Sequence, residues 1–152
     1  MIWKPNVTVA AVVERDGRFL LVEETADGRL VLNQPAGHLD EGESLIEAVV
    51  RETLEETAWH FRPEALVGIY RWPHPGRPVT YLRFAFAGRV VDHEPARRLD
   101  EGIAQAVWLT PEELRAASDR HRSPLVQRCV DDFLEGRRFP LGLLADLAGG
   151  TP

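Results

Sequence analysis

Val7 to Val13 (VTVAAVV) is an uncharged, β-branched run, the pattern of a strand covered on both faces. Asp16-Gly17 is a turn signal and Arg18 to Glu24 follows as a second strand, so the pair predicts a hairpin. Ala26-Asp27-Gly28 marks another turn before the short apolar run Leu30 to Leu32, and Asn33-Gln34-Pro35 leads onward. The period then changes. Placing Ser44 to Thr57 on a helical wheel at about 100° per residue gathers Ile46, Val50, Thr53, Leu54 and Thr57 on one side. Glu52, Glu55 and Glu56 gather on the nearly opposite side. Ser44, with Glu47 three residues later, predicts a capping box at the start of this helix.

Pro63 breaks any continuation, and Ala65 to Trp72 returns to strand. Pro73 to Pro78 (PHPGRP) cannot belong to a ladder interior. Val79 to Ala87 is the clearest alternating strand, sending Leu82, Phe84 and Phe86 toward the core and Tyr81, Arg83 and Ala85 to the other face. Gly88 to Gly102 reads as a polar segment ending in Asp100-Glu101-Gly102, followed by a strand from Gln105 to Leu109. Thr110-Pro111-Glu112-Glu113 is a second capping box with proline at the first helical position, so a short helix runs to about Ser118. Ser123-Pro124 repeats that start, and Leu125, Val126, Cys129, Val130 and Phe133 form the apolar stripe of a helix stopped at Gly136. That stripe makes Cys129 a core residue. Residues 149–152 are expected to be a disordered tail, leaving 1–148 as one domain. The element order is α/β, a mixed sheet between helices.

Composition narrows the partners. With 152 residues, 44% of them hydrophobic and 28% charged, the chain is long enough for one proper core. A net charge of -6 and a pI near 5.4 leave no basic excess to displace counterions, which argues against a nucleic-acid polymer. A small phosphorylated substrate stays compatible, because metal ions neutralise its charge locally. One cysteine allows no internal disulfide and suits a reducing compartment. No leader or membrane span is visible, so a cytoplasmic protein without a membrane partner is expected, either a monomer or a small homo-oligomer.

The chemistry lies in the acidic helix. Like charges at spacings of three and four repel each other, so something positive belongs between them. Oxygen-only ligands favour a hard cation, Mg²⁺ or alternatively Mn²⁺. A solvated helix face with ordinary Glu47–Arg51 and Arg51–Glu55 pairs is the plainer reading of the same residues. The loop ahead of the helix shifts the balance. Gly37, five residues, Glu43, seven residues, then Arg51-Glu52-x-x-Glu55-Glu56 resembles the Nudix box, the signature of the Nudix hydrolase superfamily, across the 23 residues from Gly37 to Trp59. Thr53 stands where the family has an aliphatic residue, Ala58 where it has glycine, and Pro35-Ala36-Gly37 where Pro-Gly-Gly is common. None of these positions carries a carboxylate.

The resemblance implies a Nudix-like, MutT-like α/β/α sandwich with a mixed sheet and a loop-helix-loop metal site. It implies that Glu52, Glu55 and Glu56 bind divalent metal, with one of them handling the attacking water, and that the Gly37 carbonyl is a further ligand. Glu43 and Arg51 are implied to hold the loop to the helix. Many members recruit another acid from outside the box; Glu101 is the candidate, with Asp100 second, beside the alternative that both are simply exposed loop residues. For the organic part of the substrate, Trp72 and Tyr81 offer stacking surfaces and Arg83 a phosphate partner, whereas Trp72 also reads as a cap on the core.

Lys4-Pro5, VEET at 22–25, NQPAGHL at 33–39, LRF at 82–84 and RSPLV at 122–126 are similar to the NudJ-type phosphatase subgroup. That similarity implies release of inorganic phosphate from nucleoside di- and triphosphates, and from hydroxymethylpyrimidine pyrophosphate. The nearest rival is hydrolysis of a nucleoside diphosphate linked to another moiety, such as ADP-ribose. The proline that marks many ADP-ribose hydrolases is replaced by His74, between Pro73 and Pro75. A non-catalytic nucleotide-sensing module is a third reading, against which all three box glutamates stand.

Overall fold

The structure is a computed structural model that describes residues 1–148; the tail expected at 149–152 lies outside them. Strand β1 (Asn6–Arg15) turns at Asp16-Gly17 into β2 (Arg18–Ala26). Both turn residues have positive φ, 51° and 76°, as a two-residue hairpin turn requires. Asp27-Gly28 does the same, with 50° and 74°, ahead of β3 (Arg29–Asn33). Strand β4 (Ala36–His38) leads to α1 (Leu45–Thr57), followed by β5 (Trp59–Pro73), β6 (Thr80–His93) and β7 (Ile103–Leu109). Helix α2 (Pro111–Ala116), a 3₁₀ turn at Ser118–Arg120 and α3 (Leu125–Leu134) complete the main body.

The sheet is mixed, in the order β3-β2-β1-β6-β5, with β4 against β1 and β7 against β2. The β1–β6 pair is parallel and the other pairs are antiparallel. Strands β1 and β2 pair only near their turn, at Glu14↔Phe19 and Arg15↔Arg18. Farther along, β1 pairs instead with β4, through Thr8↔His38, Val9↔Gly37 and Ala10↔Ala36. The sheet therefore splays into two halves, and the mouth of the box lies in the opening.

Successive residues of the central strands serve opposite cores, because side chains alternate along a strand. Val12, Phe19, Leu21, Ala85 and Ala87 pack with Val126, Cys129 and Val130 of α3. Val9, Ala11, Val13, Leu20 and Phe86 pack with Ala48 and Val49 of α1 on the other face. Of the core-facing set expected on β6, Phe86 is buried but Leu82 and Phe84 are only half-buried, whereas Arg83 and Ala85, expected to face away, are buried. Helices cover both faces, which a single strand's alternation does not reveal. Cys129 is fully buried, as its place on the stripe predicts.

Strands β5 and β6 outrun their predicted limits. Pro63 does not end a segment but lies inside β5, opposite Gly88, at a register shift. Proline is tolerated there because β5 is the last strand of the sheet path and the bulge relieves the ladder. The expected polar segment after Gly88 continues β6 to His93. Among the described residues no helix is long and apolar enough to cross a membrane.

Candidate active site

Helix α1 begins with the predicted reciprocal cap: Glu47 N–H donates to Ser44 Oγ at 3.0 Å and Ser44 N–H to Glu47 Oε1 at 3.0 Å. It ends at Ala58, in the left-handed region at φ 63°, where glycine has no steric penalty. Ala36, by contrast, is an ordinary strand residue and needs no glycine. Thr53 and Thr57 are buried, and each hydroxyl donates to the carbonyl one turn back, at 2.7 and 2.6 Å. A hydroxyl thus stands at an aliphatic position without leaving an unmet polar group.

The wheel's division into a packing side and an acidic side needs correction. The buried residues of α1 are Ala48, Val49, Glu52, Thr53, Glu56 and Thr57, whereas Ile46, Val50 and Leu54 are half-buried. Glu52 and Glu56 turn toward β4 rather than solvent. Glu56 Oε1 accepts the Ala36 N–H at 2.9 Å. A Cβ on Gly37 would overlap the Glu52 carboxyl group, so only glycine lets the loop lie this close to the helix.

Arg51 ties the assembly together. Its Nε and Nη2 donate to the two oxygens of Glu43 at 2.9 and 2.6 Å, and Nη2 also reaches the His38 carbonyl at 3.1 Å. Its Nη1 donates to Glu52 at 2.9 Å and Glu55 at 3.3 Å. The fork-to-fork pair with Glu43 fixes loop to helix. The Arg51 bond holds the Glu43 carboxyl below its ordinary value.

Outside the box, Asp100 joins the cluster. Oxygens of Glu52, Glu55 and Asp100 lie within 4.8 Å of one another. Asp100 is anchored there by donating its N–H to the Glu55 carbonyl at 3.0 Å. Glu101, preferred on sequence, is exposed on the turn and lies outside this cluster. Burial pushes Glu52 up to about 6, against the opposing pull of Arg51. It pushes Glu56 up to about 9, with Glu24, Glu52 and Asp100 adding repulsion and the Ala36 N–H opposing. Glu55 is also raised, chiefly by burial. Glu52, Glu55 and Glu56, crowded at the price of raised pKa values, with oxygen-only chemistry and a cradle that a Cβ would fill, fit a hard divalent cation.

A cavity of about 460 Å³ runs from Glu52 and Glu56 to an aromatic wall. Trp72 and Tyr81, cross-strand neighbours on β5 and β6, stack with centroids 5.8 Å apart and planes 18° apart. Trp72, Tyr81 and Arg83 all line the cavity, and of these the alternation along β6 places Tyr81 and Arg83 on one face. Arg83, however, turns its guanidinium into the wall. It donates to Gln34 Oε1 at 2.9 Å and Asn33 Oδ1 at 3.1 Å, with Cys129 Sγ at 3.8 Å, while its buried Nε has no partner. Glu24 and Arg122, paired at 2.7 Å, also line the cavity. Both lie in segments of the subgroup similarity, VEET and RSPLV, but no spacing pairs them: they are 98 residues apart in sequence and meet only through the fold.

A NUDIX domain family model matches residues 3–129. The phosphatase NudJ of Escherichia coli strain K12 is 40% identical over 145 residues, covering 95% of this chain and 94% of that protein. A NUDIX hydrolase structure from Nitrosomonas europaea superimposes with a TM-score of 0.95 at 52% identity, covering 97% of this chain and all of that one. A UDP-X diphosphatase structure shares the fold at a TM-score of 0.74 and 20% identity, covering 92% of this chain and 68% of that one. With the box spacing intact and the likeness running almost end to end, the chain belongs to the Nudix hydrolase family, metal-using enzymes of small phosphorylated compounds, and is a pyrophosphohydrolase/phosphatase of that family.

Proposed function

We infer that the enzyme, with Mg²⁺ or alternatively Mn²⁺, hydrolyses nucleoside di- and triphosphates at the terminal phosphorus, releases inorganic phosphate, and accepts hydroxymethylpyrimidine pyrophosphate. The observation that carries this reading is that the Glu52–Glu56 row and the Trp72–Tyr81 stack line one cavity. A phosphate end and a flat organic end are thereby accommodated together. The likeness to phosphatase NudJ supports terminal cleavage.

In this reading Glu52, Glu55 and Asp100 hold the cation, with the Gly37 carbonyl beside them. A divalent cation supplies Lewis-acid stabilisation of charge on the phosphoryl oxygens. The chain's own contribution is positioning. Arg51 and Glu43 keep the loop and helix in register. Glu56, with one oxygen fixed by the Ala36 N–H, stands beside the three-acid group and takes the proton of the attacking water. Trp72 and Tyr81 receive the base or pyrimidine, and Arg83 shapes the floor by fixing Asn33 and Gln34.

Chromatography with separate phosphate and pyrophosphate detection tests the reading. A diphosphate should give monophosphate and phosphate, and a triphosphate should lose phosphate stepwise. Pyrophosphate as the main product from a triphosphate, or ADP-ribose cleaved much faster than any free diphosphate, would overturn it.

A further inference from the structure

Glu24 is nearly buried, 8% exposed, yet forms part of the cavity wall. Two donors reach it, Arg122 Nη1 at 2.7 Å and Asn33 Nδ2 at 3.4 Å, and both fall on Oε1. Oε2 has no donor among the described residues. The amide orientations behind it are not free. Arg83 is donor-only, so Asn33 must give it Oδ1 and is left presenting Nδ2 to Glu24. Gln34 must likewise give Arg83 its Oε1, and its Nε2 donates to the Val126 carbonyl at 2.8 Å. The floor is a fixed chain of hydrogen bonds running from Val126 to Glu24, and it ends in one unused acceptor. Oε2 is reached by solvent through the cavity, so a donor on an entering ligand can replace water at a charged acceptor whose position is already fixed.

We propose that Glu24 reads the organic part of the substrate, accepting a hydrogen bond through Oε2 from an amino group on a heterocycle seated against Trp72 and Tyr81. A flat ring on that aromatic wall presents its edge, where exocyclic amino groups lie, to the cavity floor. A carbonyl oxygen at the same edge position meets a carboxylate and is repelled. The cavity thereby selects amino-substituted rings over their oxo counterparts. This rests on the hydrolase reading above, because the ring is placed by a phosphate chain bound at the box.

Cytidine and uridine diphosphates differ at that edge, an amino group beside an unprotonated ring nitrogen against an oxo group beside a ring N–H, and make the test. The wild-type enzyme should favour cytidine diphosphate in kcat/KM by about 10- to 100-fold, the range of one hydrogen bond to a charged group. In Glu24→Gln the ratio should fall below one, because Arg122 and Asn33 claim the amide oxygen and the Nε2 left facing the ring donates to a carbonyl but cannot accept from an amino group. A wild-type ratio near one would overturn the proposal without needing any variant. Equal losses on both nucleotides in Glu24→Gln, with the ratio kept, would also overturn it. So would a large rise in the Mg²⁺ concentration for half-activation, which would make Glu24 a metal ligand. Failure of the wild-type enzyme to release phosphate from either nucleotide would refute the hydrolase reading instead.

Discussion

Replacing Glu56 by glutamine should stabilise the metal-free protein while abolishing most of its activity. In the folded chain burial and neighbouring carboxylates push Glu56 from 4.5 up to about 9. Between those pH values the folded protein keeps a proton that the unfolded chain has released, so raising the pH favours unfolding. The contribution of Glu56 to the stability of the metal-free wild type is thus complete below pH 4.5 and declines as pH rises toward about 9. At about 1.4 kcal/mol per pH unit, holding Glu56 neutral at pH 8 costs on the order of 5 kcal/mol. Water entering from the cavity relieves part of this, leaving roughly 2–4 kcal/mol. Glutamine keeps the acceptor for the Ala36 N–H and carries no charge at any pH. Thermal melts of Glu56→Gln in EDTA should therefore exceed wild type by roughly 5–12 °C at pH 8 and by almost nothing at pH 5. Mg²⁺ should narrow the gap, because it binds and stabilises the ionised wild-type site more than the variant's. Turnover should fall by orders of magnitude. The reasoning fails if the advantage in EDTA is the same at both pH values, or if the variant melts lower at pH 8.

Gly37→Ala should lower kcat by about 100-fold or more, because the new methyl overlaps the Glu52 carboxyl and displaces it; wild-type kinetics would exclude this close approach. Asp100→Asn should raise the Mg²⁺ needed for half-activation at least about tenfold, whereas Glu101→Gln, exposed and outside the cluster, should not; a metal titration of both variants that gave the reverse ranking would restore Glu101. Arg83→Ala removes a buried guanidinium that holds Asn33 and Gln34, so it should destabilise the fold by roughly 2–4 kcal/mol in urea unfolding and raise KM more than Trp72→Phe does. Unchanged stability together with unchanged KM would remove Arg83 from the cavity floor.

The box helix was legible residue by residue because its determinants are local. Ser44 and Glu47 meet within one turn, and the spacing of Glu52, Glu55 and Glu56 follows from helical geometry alone. The first hairpin and the turn that follows it were legible too, since Asp16-Gly17 and Asp27-Gly28 supply the positive φ that such turns demand. What the chain kept hidden depends on which surfaces meet. A helical wheel separates apolar from acidic residues, but only β4 lying against α1 decides that Glu52 and Glu56 are buried. Strand alternation assigns Arg83 to a face, but only the arrival of Asn33, Gln34 and α3 decides that the face is closed. Asp100 and Glu101 are neighbours with the same charge, and a single backbone bond from Asp100 to the Glu55 carbonyl places one of them in the cluster. Glu24 and Arg122 lie in the VEET and RSPLV segments of the subgroup similarity, but nothing local pairs them or assigns them to the cavity. Local rules govern contacts a few residues apart, whereas a site assembled from β2, β6, α1 and the loops before β7 and α3 exists only once the chain has closed on itself.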